Sequence, residues 1–133
     1  MNNTTITNQN PELTKNYIIH IIQLLDKITI DYQNTKSERQ AIALKYSPLE
    51  TEFTVLEEIE LLTIYIRGYA NQIKARGYVQ NPVETIKTLQ KITMFDIQKI
   101  AQLYFHTPGE YENLKSYLRM LDYLRLLILE YLN

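Results

Sequence analysis

Three tetrapeptides in this chain share one grammar, and they constrain its fold more than any other feature. They are SPLE (residues 47–50), NPVE (81–84) and TPGE (107–110). In each, a side chain able to cap a helix is followed by proline at the first helical position, and a glutamate stands three residues after the cap. The cap oxygen takes an orphan amide, proline has no amide to leave orphaned, and the glutamate can reach back to the cap. NPEL at Asn10 is a looser version, and TKSE at Thr35 is a start without proline. Five helix starts are therefore predicted.

The apolar spacing between these starts has a helical period. Ile18, Ile21, Ile22, Leu25 and Ile28 form one face of a first helix. Val55, Ile59, Leu62, Ile66, Tyr69 and Ile73 alternate spacings of four and three along a third. Ile86, Leu89, Ile97, Ile100 and Tyr104 continue the pattern in a fourth, with Thr93 interrupting, and Leu114, Leu118, Leu121 and Ile128 in a fifth. No stretch alternates with period two long enough to be a strand. The expected fold is all-α: a single-domain antiparallel bundle of about five helices, one of them short, over residues 10–133. The third helix is expected to run for about 29 residues, roughly 43 Å at 1.5 Å per residue, and to end at Gly77. The polar, uncharged start MNNTTITNQN reads as a disordered tail over residues 1–9.

Composition removes several classes of function. The chain of 133 residues has no cysteine, so it has no disulfide framework, thiolate metal site or cysteine nucleophile. Its two histidines, His20 and His106, have no ligand at metal-binding helical spacing, and no HExxH or phosphate-binding glycine loop is present. No nucleophile, base and oxyanion site assemble from this sequence. A non-catalytic protein without metal or cofactor is expected. No apolar run reaches the roughly 20 residues that span a bilayer, and no secretory signal opens the chain. A soluble, cytoplasmic protein is the expectation.

The net charge of −1 conceals a segregation along the chain. Glu50, Glu52, Glu57, Glu58 and Glu60 crowd the start of the third helix without a base among them. Arg67, Lys74, Arg76, Lys87, Lys91 and Lys99 then follow against only Glu84 and Asp96. Arg67 and Lys74 share a helix face at a spacing of seven, and Lys87 and Lys91 share one at four. Such a face can bind a phosphate backbone, and the interleaved Tyr65, Tyr69 and Tyr78 offer rings for stacking on unpaired bases. The alternative is solvated lysine with tyrosine rings turned inward. Gly68 inside the third helix costs about 1 kcal/mol relative to alanine, and points either to close helix packing or to close approach of another chain or a ligand.

From Glu57 onward, about three-fifths of the chain, the order of these segments resembles the small helical subunit of type III-A CRISPR effector complexes. A long helix runs into the basic segment YANQIKARG (residues 69–77). A helix with an apolar centre follows, QKITMFDIQKI (residues 90–100). An aromatic and aliphatic helix closes the chain, LKSYLRMLDYLRLLILEYL (residues 114–132). The compact tyrosine–alanine–glycine–arginine run often seen in that family is broken up here, with Arg76 before Gly77. The resemblance implies a non-catalytic subunit that stacks in several copies within a ribonucleoprotein. Arg67, Lys74, Arg76, Lys87 and Lys91 would then contact target RNA paired with its guide. Two other readings stand beside it. One is an immunity or inhibitor protein that binds a protein through the acidic, tyrosine-rich start of the third helix. The other is a homodimeric bundle that joins through LLILEYL (residues 126–132), an apolar patch of the kind that marks contact surfaces.

Overall fold

A computed structural model describes the backbone of residues 11–45, 51–91 and 108–133, and the side chains of all of these except 43–45 and 51–55. The predicted tail, the SPLE start and the continuation of the fourth helix through Thr93, Ile97, Ile100 and Tyr104 lie outside the described residues. Those that remain form five helices and no strand: α1 (Pro11–Asn34), α2 (Lys36–Lys45), α3 (Thr51–Arg76), α4 (Pro82–Lys91) and α5 (Glu112–Leu132). The all-α bundle expected from the periodicity is present.

α5 is the centre of the bundle and touches each of the other four helices; α1 also packs along α3, and α2 bridges onto α3. Burial follows from this. Ile21, Leu24, Leu25 and Ile28 of α1 and Ile59, Leu62, Ile66, Ala70 and Ile73 of α3 each supply a single stripe to the core. α5 instead buries residues around most of its circumference, including Leu114, Tyr117, Leu121, Leu124, Leu127, Ile128 and Tyr131. The apolar excess at its end, which suggested contact with a neighbour, is used mostly inside the chain. Leu127 and Ile128 are core residues, Leu129 and Leu132 are half-buried, and Leu126 alone of this group is exposed.

The start at Asn81 and the end at Gly77 hold, the start at Thr35 holds with a different cap, and the start at Thr107 is corrected. At α4, Asn81 Oδ1 accepts the Glu84 amide at 3.2 Å, as the capping grammar requires. Gly77 ends α3 with φ +84°, and its amide donates to the Ile73 carbonyl at 2.7 Å, a left-handed turn that glycine makes without strain. The TPGE start, by contrast, does not open α5 at Pro108. Gly109 has φ +85° and cannot continue a right-handed helix, so Pro108 and Gly109 form a turn. The helix begins at Glu112, after a left-handed Tyr111 whose side chain makes no cap. Its cap comes from α2: the Glu38 carboxylate accepts the amides of Asn113 at 3.0 Å and Leu114 at 2.7 Å. The TKSE start holds in position, since α2 begins at Lys36, but its cap is not the reciprocal one. Glu38 is committed to α5, and the buried Thr35 hydroxyl turns back to donate to the Tyr32 carbonyl at 2.6 Å. α1 therefore passes into α2 through a single residue.

Candidate functional site

The five basic residues singled out by the charge pattern fall into three environments. Lys74, in the last turns of α3, faces α1 and pairs with Asp26 at 3.6 Å, both side chains about half exposed. Arg67 is half-buried at the edge of the core, with Nε enclosed and without a hydrogen-bond partner among the described residues. Arg76, Lys87 and Lys91 are exposed, and no acidic partner lies within ion-pair distance of them among the described residues.

The connection that carries Arg76 is held firmly. Gln72 Oε1 accepts the Gln80 amide at 2.9 Å, the Tyr131 hydroxyl donates to the Gly77 carbonyl, and Val79 is buried. These contacts fix the end of α3 against the start of α4. α4 in turn buries Thr85 and Leu89 and leaves Val83, Lys87 and Lys91 on its outer face, each one turn from the next. Arg76 at the end of α3, exposed Tyr78 after it, and Val83, Lys87 and Lys91 along α4 thus give exposed cations with an aromatic ring and an aliphatic side chain, without an ion-pair partner among the described residues. Such a surface can hold phosphates as point contacts. Among the described residues no group of three or more histidine, aspartate or glutamate side chains could hold a metal ion.

Arg67 belongs to a second cluster, which sequence reading did not anticipate. The Thr63 hydroxyl donates to the Ile59 carbonyl at 2.8 Å and meets the Tyr117 hydroxyl at 2.7 Å in the core. The Tyr117 ring packs on Tyr32 with centroids 5.1 Å apart, and the Arg39 guanidinium lies 4.1 Å above the other ring of that pair. Arg39 also donates to the Thr35 hydroxyl at 2.8 Å and to the Tyr32 carbonyl at 3.3 Å. Burial pushes the Tyr117 phenol up to about 12, while the Thr63 hydroxyl and the charges of Arg67 and Arg39 pull it down. An open cleft of about 230 Å³ beside this cluster is lined by Tyr32, Arg39, Gln40, Leu56 and Glu60. Arg39 could have been found from its spacing, four residues after Thr35 and seven after Tyr32.

A buried ion pair was also missed. Arg125 Nε donates to Asp122 Oδ1 at 2.8 Å, and Nη1 donates to the Leu89 carbonyl at 3.0 Å. The pair ties α5 to α4 and so sets where Lys87 and Lys91 stand. His20 is half-buried, edge-on to Tyr123 at 5.7 Å, while His106 lies outside the described residues. Glu57 and Glu60 are exposed and Glu58 is half-buried; the side chains of Glu50 and Glu52 lie outside the described residues. No helix among the described residues is long and apolar enough to cross a membrane. Comparison with protein-family models finds no match, and comparison with curated proteins and with solved structures finds none either.

Proposed function

We propose that the chain is a non-catalytic helical subunit of an RNA-guided effector complex of the type III CRISPR kind. In this reading it acts with other subunits and with copies of itself, and contacts guide-paired target RNA through the basic end formed by α3 and α4. The observation that carries it is the exposed set Arg76, Lys87 and Lys91, which has no ion-pair partner among the described residues. The order of segments from Glu57 onward supports the same assignment. Arg67 and Lys74 take a smaller share than the charge pattern alone suggests, because one is half-buried and the other faces Asp26.

Two or three phosphate contacts give little affinity in isolation and no sequence preference. They gain weight when several copies are tethered along one RNA, where effective concentration multiplies weak contacts. The test is Lys87→Glu with Lys91→Glu in complexes purified through the tagged native protein. The expected result is an intact assembly with lower affinity for target RNA. Purified chain should leave labelled RNA and DNA uncut with magnesium or manganese present. Unchanged affinity in an intact complex would turn attention to the acidic start of α3, with Glu57 and Glu60 exposed, as a protein-binding face of an inhibitor.

A further inference from the structure

The outer face of α3 carries an apolar stripe that no described residue covers. Leu61, Ile64 and Tyr65 are 53%, 58% and 46% exposed, on the side of the helix away from buried Ile59, Leu62, Ile66 and Ile73. Gly68 completes the stripe at a spacing of seven, four and three from these residues. It lies in the interior of α3, and a Cβ added to it would meet nothing within 4 Å. Close packing among the described residues therefore does not account for this glycine. A glycine at such a place lets another backbone come near.

Charge along α3 says what that backbone is. Glu58 and Arg76 are 18 residues apart, five full turns, so they lie on the same flank of the stripe. Glu60 and Lys74, 14 residues apart, lie on the opposite flank. Both pairs have their midpoint at residue 67, next to Gly68. An identical helix laid antiparallel and centred there brings Glu58 against Arg76 at each end of one flank, and Glu60 against Lys74 at each end of the other. A single two-fold axis generates all four contacts, as a self-complementary interface requires. Lys74 would give up only an exposed pair with Asp26, worth about 0–1 kcal/mol.

We infer that the chain pairs with a second copy of itself through this face of α3, antiparallel, with Ile64 and Tyr65 packed over Gly68 of the other copy. One helix from each side makes a small interface, so association belongs at micromolar concentrations and above. Sedimentation equilibrium from about 10 to about 500 μM at low salt reads it. The wild-type chain should move from monomer toward dimer mass. Gly68→Leu should weaken association at least tenfold while the circular dichroism spectrum and dilute-solution unfolding midpoint confirm an intact fold. Glu58→Arg and Arg76→Glu should each weaken it, and the two together in one chain should restore it. Mixing the two single variants should restore it as well, as a heterodimer. A wild-type chain that stays monomeric over the whole range overturns the inference. A dimer insensitive to Gly68→Leu overturns the face, and failure of the double charge swap to rescue overturns the antiparallel register.

Discussion

Glu38 belongs to α2 by sequence, yet its carboxylate caps α5 through the amides of Asn113 and Leu114. A carboxylate there satisfies orphan donors and meets the positive end of the helix dipole. Glu38→Ala is expected to cost about 1–2 kcal/mol by chemical denaturation, and Glu38→Gln less, because an amide oxygen can still accept one bond. Tyr117 gives a second test at this scale. Burial raises its phenol from 10.0 to about 12, so the folded state keeps a proton that the unfolded chain releases earlier. Its contribution is whole below about pH 10, falls as pH rises toward about 12, and changes no further beyond. At about 1.4 kcal/mol per pH unit the loss is on the order of 2–3 kcal/mol. Tyr117→Phe should flatten part of the alkaline slope of unfolding free energy between about pH 10 and 12. At neutral pH it should cost about 0.5–1.5 kcal/mol for the bond with Thr63. Tyr17 and Tyr131 are raised as well and keep the remainder of the slope.

At the scale of elements, α5 is held from all sides, and Asp122 with Arg125 is the polar joint in its apolar surface. The pair is almost fully buried, and Asp122 Oδ2 has no partner among the described residues. Removing one charge strands the other, so Arg125→Ala should destabilise by about 3–5 kcal/mol, measured by denaturant unfolding. Asp122→Leu with Arg125→Met should cost much less than either single change, since a well-packed apolar pair replaces a desolvated one. α3 yields the opposite kind of test. Gly68→Ala meets open space in the monomer and should stabilise dilute protein by about 1 kcal/mol. Element starts were legible where the capping partners are local, as at Asn81 with Glu84. They were not legible at α5, where Gly109 breaks the helix and the cap arrives from 75 residues upstream.

For the molecule as a whole, a net charge of −1 divides into an acidic start of α3 and a basic end shared by α3 and α4. The bundle leaves Arg76, Lys87 and Lys91 exposed while it draws Arg67 toward Tyr117. In the RNA reading, loss of the Lys87 and Lys91 contacts should reduce the slope of log affinity against log salt by about 1.8, at about 0.9 per contact on a duplex. A titration of labelled RNA from low to high salt checks it. Of the candidate site, the exposed pair at i,i+4 could be foreseen from spacing. The retreat of Arg67 could not, because seven-residue spacing places Arg67 and Lys74 on one face without saying what covers each end of it.

The sequence alone determined the helical class, the order of the helices, the faces of α1, α3 and α5 that enter the core, and the glycine that ends α3. These follow from contacts within a few residues: periodicity, caps and left-handed turns. Tertiary structure decided that α5 sits at the centre, that Glu38 caps it, that Asp122 and Arg125 can be buried together, and that Gly68 faces open space. Each of these depends on groups far apart in the chain, and their meeting is fixed only when the helices pack.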